Sequence, residues 1–120
     1  MEIKITRVYT GSDGESHFED VELPLEDRGE GGLPYLCSEF MKPTGIFFTV
    51  QEHTSERDWH NAPHRQFLIR LEGESEMEIS DGTRRRLGPG GIVLAEDTTG
   101  RGHKGRVIKS PRKTVVVTLD

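Results

Sequence analysis

Apolar residues along this chain recur in short alternating runs, and no window carries the spacing of a helix face. Ile3 and Ile5 alternate with Glu2, Lys4 and Thr6, and Gly11-Ser12-Asp13-Gly14 closes that first segment as a turn cluster. Phe18, Val21 and Leu23 lead to Pro24, after which the polar, glycine-rich stretch 26–32 reads as a mobile loop, either a lid or a plain connection. Ile46-Phe47-Phe48-Thr49-Val50 is a β-branched and aromatic run of strand length with core-like apolar density. Gln66–Leu71 and Glu74–Ser80 are two further runs separated by Glu72-Gly73. Asp81-Gly82 then joins the second of them to Thr83–Leu87, a strong local signal for a hairpin. Gly88-Pro89-Gly90-Gly91 forces a turn before Ile92–Ala95, Thr98–Gly102 makes another loop, and Thr114–Leu119 is a last strand. The pattern predicts an all-β protein, a barrel or a sandwich.

The 120 residues fit one domain, 1–120. With 32% hydrophobic against 31% charged residues, its core has to be thin. A net charge of −5 repels phosphate backbones, and no groove of Lys and Arg with interleaved aromatics offsets it, so nucleic acid is not an expected partner. Arg84-Arg85-Arg86 falls in a strand run and reads as a charged edge that guards against stray pairing. Cys37 is the single cysteine, which rules out an intrachain disulfide and a cysteine zinc site and leaves it as a small core filler. The N-terminus has no apolar signal core and no run reaches membrane-spanning length, so a cytoplasmic protein without a membrane partner is expected.

Chemistry concentrates in His60-Asn61-Ala62-Pro63-His64-Arg65-Gln66. In an extended chain running through Pro63, His60, Ala62, His64, Gln66, Leu68 and Arg70 share one face, so two imidazoles and an amide line one wall. Arg70, a charge facing inward, needs a partner: a buried carboxylate such as Glu78, or an anionic ligand. Trp59 either caps the mouth of such a pocket or packs on the core. Glu96 or Asp97, just ahead of His103, either orients that histidine or caps the turn at Thr98-Thr99. His17 and His53 stand on polar segments and read as surface residues.

The order of these residues resembles the cupin superfamily, in particular its small single-domain bacterial members. His60, Ala62, Gln66 and Gly73 fall on the places of a first cupin motif, with Ala62 where a second histidine stands and Gln66 where a glutamate stands. Pro89-Gly90-Gly91, Ile92–Ala95, Gly100 and His103 follow the order of the second motif, so the resemblance spans about residues 57 to 107. It implies a cupin-type double-stranded β-helix, a jelly-roll-like barrel, with a small-molecule pocket at His60 and His103. It also implies a homodimer whose N-terminal strand packs on or exchanges with its partner. The metal chemistry of the family makes His60, His64 and His103 candidate ligands for iron, zinc, nickel or copper, with Gln66 as a weak fourth; the alternative is no cofactor. His64 is equally readable as a rim residue. Three functions follow: a metal-dependent oxygenase or isomerase; a metal-free epimerase or isomerase with His103 or His60 as the base and Arg70 on an anion; or a non-catalytic binding or sensing module. Ligand-binding candidates are Arg70, Trp59 and Gln66, and the catalytic candidate is His103.

Overall fold

The alternating runs pair into one mixed sheet that folds over on itself. A computed structural model describes residues 2–120. Strands β1 (Ile3–Thr10) and β2 (Ser16–Leu23) form an antiparallel hairpin across the predicted turn. The other side of β1 runs parallel to β9 (Ile92–Glu96), which in turn lies antiparallel to β7 (Gln66–Glu78). Next come β10 (His103–Thr118) and, at the edge, β5 (Gly45–Gln51). Two shorter strands complete the sheet: β6 (Glu56–His60) pairs with β10, and β8 (Arg84–Leu87) pairs with β7. The strand path β2-β1-β9-β7-β10-β5 does not return to its start, so the all-β class is as expected, but the barrel is an open sandwich. No helix occurs among the described residues, and so none long and apolar enough to cross a membrane.

Two runs that read as separate strands on either side of Glu72-Gly73 are one bent strand, β7. Before Gly73 it lies beside β9 and the C-terminal half of β10; after it, beside β8 and the N-terminal half of β10. The stretch after His103 is likewise the start of a long strand, and the predicted strand from Thr114 is only its second half. The register between β7 and β10 shifts around Lys109 and Lys113, opposite Gly73, so both strands turn the same corner together. The core lies where the layers meet: Val8, Ala62, Ile79, Leu87, Val93 and Ala95, with Phe18, Leu68 and Met77 packed against them.

The hairpin at Asp81-Gly82 forms as read, closed by Ile79 N–H donating to the Thr83 carbonyl oxygen and Gly82 N–H donating to that of Ile79. The basic run occupies β8, where Arg84 pairs with Glu78 and Arg85 with Asp20. Residues 24–44 leave the sheet. Within them β3 (Glu26–Asp27) and β4 (Leu36–Cys37) form a separate small ladder, so Cys37 is half-exposed there and is not a core filler. The core reading of Cys37 rested on the residue type alone, and the two-stranded ladder it belongs to lies apart from the main sheet. β1 has a neighbour on both edges within its own chain.

Gly73 is the pivot. Its φ of +82° lies in the left-handed region, and a Cβ there would stand 2.3 Å from the Pro111 carbonyl oxygen and 2.7 Å from that of Lys109. Left-handed backbone costs a side chain roughly 1–2 kcal/mol, and here rigid backbone blocks it as well. Gly73→Ala should therefore destabilise by about 3 kcal/mol or more in urea denaturation. Gly82→Ala, at a φ of +89° with nothing within 4 Å, should lose only the backbone part, ~1–2 kcal/mol. Equal losses at the two glycines would disprove the pivot.

Candidate functional site

Between the two layers lies a cavity of about 490 Å³. Alternation along the strands decides what enters it: Gln66, Leu68 and Arg70 from the first half of β7, Ser75 and Met77 from its second half, and Thr114 and Val116 from β10. At one end stand two imidazoles. His60 closes β6 and His103 opens β10, and they face each other as register partners with ring centroids 4.5 Å apart in an edge-on arrangement. This approach requires Gly102, where a Cβ would sit 2.0 Å from the His60 carbonyl oxygen.

Each ring is held by its Nδ1. His103 Nδ1–H donates to Asp97 Oδ2 at 2.6 Å, and the same oxygen accepts from Ser16 Oγ at 2.8 Å. Asp97 is fully buried and His103 is 6% exposed, so the pair is shielded and strongly oriented. His60 Nδ1 lies 2.8 Å from the Asp58 carbonyl oxygen; a carbonyl only accepts, which fixes the proton on Nδ1. Both rings therefore keep Nε2 free of protein partners. Burial holds the His60 imidazole below its ordinary value of 6.5, and the neighbouring His103 adds to that effect. The reading that one of Glu96 and Asp97 orients His103 holds for Asp97; Glu96 pairs instead with Arg7 and Arg65.

The chain does not stay extended through Pro63. β6 ends at His60, a turn covers the residues around Pro63, and β7 begins at Gln66, because proline cannot donate to a ladder and the strand breaks there. His60, Ala62, Gln66, Leu68 and Arg70 do line the cavity, whereas His64 is exposed outside it. A metal at this site would have His60 and His103 as nitrogen donors and the Gln66 amide oxygen as a third. Ala62 supplies no ligand, and among the described residues no group of three His, Cys, Asp or Glu side chains converges on one point. Two imidazoles and one neutral oxygen do not fit the donor count or charge of a protein metal centre, so no step is routed through an ion. The fit of Gln66 is different: its Oε1 is buried without a protein partner and remains free to accept from a ligand.

Arg70 is 3% exposed and does not meet Glu78, which pairs with Arg84. Its donors go to Thr114 Oγ1 at 3.0 Å, the Leu87 carbonyl oxygen at 2.8 Å and Ser75 Oγ at 2.9 Å, all of them neutral. Trp59 turns to the opposite face of β6, where Lys104 Nζ stands 5.1 Å from its ring centroid, and it does not line the cavity. His17 pairs with Asp13 on an exposed turn, and His53 is exposed. Four contributors went unread in the sequence: Ser16, Asp58, Thr114 and Arg112. No spacing signal ties Ser16 or Arg112 to a histidine or arginine far along the chain.

No family model and no curated protein matches the chain. Among solved structures it is similar to protein NMB1881 from Neisseria meningitidis, with 16% sequence identity, 68% of this chain and 82% of that chain covered, and a TM-score of 0.45. A likeness this loose carries nothing about the site, whose chemistry rests on its own residues.

The His60 arrangement has a consequence for stability. Its pKa is lowered on folding, so the unfolded chain binds its proton first, at about 6.5. The stability held in neutral His60 is complete above that pH and is lost as pH falls through and below it. Urea unfolding at pH 7.5 and 5.5 should show a smaller drop for His60→Gln than for the native chain. An identical drop would mean that His60 does not titrate differently in the folded state.

Proposed function

We propose that this chain is a cupin-type protein that binds a small organic molecule in the interlayer cavity and moves a proton on it, as an isomerase or epimerase does. His103 is the acid–base group. The observation that carries this reading is the buried Asp97–His103 pair at the cavity end: the carboxylate fixes the Nδ1 proton, stabilises the imidazolium that forms, and leaves Nε2 to take a proton from a bound carbon acid. The proton taken up by His103 Nε2 is returned from that same nitrogen to the ligand carbon, and neutral His60, edge-on to His103, offers its Nε2 as an acceptor for a ligand hydroxyl. The apolar wall of Leu68, Met77, Val107 and Val116 limits water around the exchanging atom.

The reading is tested without knowing the substrate. Incubating the protein in D2O with a panel of small oxo and hydroxy acids should wash deuterium into one class of them at the carbon next to the carbonyl. His103→Gln should reduce that rate by roughly 10²-fold or more, the usual worth of a positioned acid–base group. Saturable thermal shifts without any deuterium incorporation would make the chain a binding module instead.

A second copy of the chain is the partner we propose for the outer face of the sheet. There Phe48, Val115 and Ile69 form one in-register row and Ile46, Val117 and Phe67 another. Phe48 is 70% and Ile46 60% exposed on an edge strand, a larger continuous apolar face than monomers normally leave to water. The same face on a second copy, related by a two-fold axis, covers both at once. Sedimentation should give a dimer for the native chain and a monomer for Phe48→Lys; a monomeric native chain at micromolar concentration refutes it.

A further inference from the structure

We infer that the Arg70 and Arg112 end of the cavity binds the anionic group of the ligand, so that the ligand is a small organic acid with a carboxylate or phosphate at that end and a hydrogen-bond donor toward Gln66. This rests on the proposed use of the cavity as the ligand site, and it adds the ligand's charge and polarity.

A buried cation is costly unless an anion accompanies it. Arg70 is buried against a hydroxyl, a carbonyl and a second hydroxyl, and three neutral acceptors do not balance a guanidinium. Its charged neighbour is another cation, Arg112, whose Nε is buried with no protein partner. Burial lowers Arg70 to about 10, Arg112 lowers it in the same direction, and burial lowers Arg112 too, as expected where a counter-charge is missing. If Arg70 only joined β7 to β10, an uncharged donor would serve without the desolvation.

Charge differs between the cavity and a cleft beside it. The cavity is lined by four arginines, Arg57, Arg70, Arg106 and Arg112, and one carboxylate, Glu76. An adjoining outer cleft of about 470 Å³ carries four acidic and four basic side chains and has no net preference. Arg57, Glu76 and Arg106 line both clefts, and Arg106 pairs with Glu76 at 3.0 Å, so the charge that belongs to the cavity alone is that of Arg70 and Arg112, with no carboxylate beside them. The unpartnered Gln66 Oε1 adds an acceptor at the histidine end, suited to a ligand hydroxyl. Anion at one end, hydroxyl at the other and an exchangeable proton near His103 describe a hydroxy or oxo acid, or the phosphate ester of a small hydroxy compound.

Two probes at matched ionic strength test this, inorganic phosphate and malate, followed by the arginine Nε–Hε and the histidine ring resonances in NMR spectra of the whole chain. At least one probe should shift the Arg70 and Arg112 signals saturably where chloride does not, and the stronger of the two identifies phosphate or carboxylate as the anion. Arg112→Gln should weaken that binding about tenfold or more, while Arg84→Gln, in the outer cleft, should leave it unchanged. Arg70→Lys, which keeps the charge, tests the buried member if Arg70→Gln does not fold. No saturable shift with either probe, or equal affinity in Arg112→Gln, overturns the anion site. The histidine signals and the deuterium assay report separately. Shifting arginines with no proton exchange would remove the acid–base reading and keep this one; exchange with silent arginines would do the reverse.

Discussion

The pairing of β7 with β10 is the constraint on which the rest depends. These are the two longest strands, they run antiparallel along almost their whole length, and each belongs to both layers. A sandwich built from separate strands would need loops to carry the chain between its layers. Here the ladder itself turns the corner, at Gly73 on one strand and at the register shift near Lys109 and Lys113 on the other. The hydrogen-bonded backbone is thereby kept satisfied through the bend, and the inward residues of both halves face a common space. Gln66, Leu68 and Arg70 before the bend and Ser75 and Met77 after it reach the same cavity only because one strand supplies both sets. The small core, 32% of residues being hydrophobic, is enough for this architecture because the layers share their longest elements.

The same bend explains why charge is buried so close to it. Arg70 hydrogen-bonds to Thr114 on the partner strand, to Ser75 beyond the pivot and to the backbone at the end of β8, so one guanidinium ties together three segments that meet at the corner. That structural role accounts for its orientation but leaves its charge without compensation. At the other end, Asp97 is also fully buried: Ser16 and His103 both donate to its Oδ2, while its Oδ1 has no protein partner. The two ends of the cavity thus differ in kind, a carboxylate beside imidazoles at one and two guanidiniums without a carboxylate at the other.

Much of the strand layout was legible because it depends on local pattern. The Asp-Gly hairpin, the glycine turn before Ile92 and the run at residues 66–71 follow from alternation and turn chemistry visible within ten residues; the run at 46–50 is a strand as read, but its apolar density pointed to the core, whereas Ile46 is 60% and Phe48 70% exposed on an edge strand. Gln66 and Arg70 share the cavity wall by alternation along one strand, while the meeting of His60 with His103 was legible only through the cupin resemblance. What failed were the steps that depend on distant backbone. Continuing the alternation through Pro63 put His64 inside, where the break in the strand puts it outside. Two runs around Gly73 looked like two strands because a glycine between apolar runs signals a turn, and only the carbonyls of Pro111 and Lys109 packed against it reveal a pivot. Glu78 was a reasonable counter-ion for Arg70 on strand polarity alone, but it lies well along the strand beyond the bend and pairs with Arg84 across the β7–β8 hairpin. Ser16 and Asp97 meet across 81 residues of sequence, and no local signal encodes such a contact.

Set against the cupin motif pattern that the chain resembles, Ala62 stands in the place of a histidine and Gln66 in that of a glutamate, and the difference suits another use of the cavity. Alanine removes a donor nitrogen and leaves space; glutamine keeps the shape of a carboxylate and discards its charge. Together they take negative charge and ligand strength away from the histidine end, which weakens it for a cation and leaves both imidazoles with unengaged Nε2 atoms. The arginines at the opposite end work in the same sense, since a cation site and two uncompensated guanidiniums in one cavity of about 490 Å³ would repel each other through a medium of low polarity. On the proposed reading, an anionic ligand would supply the charge that Arg70 and Arg112 lack and bring its acidic carbon to the two imidazoles. The substitutions that make the metal motif incomplete are, on this account, the ones that make proton transfer on an organic acid feasible.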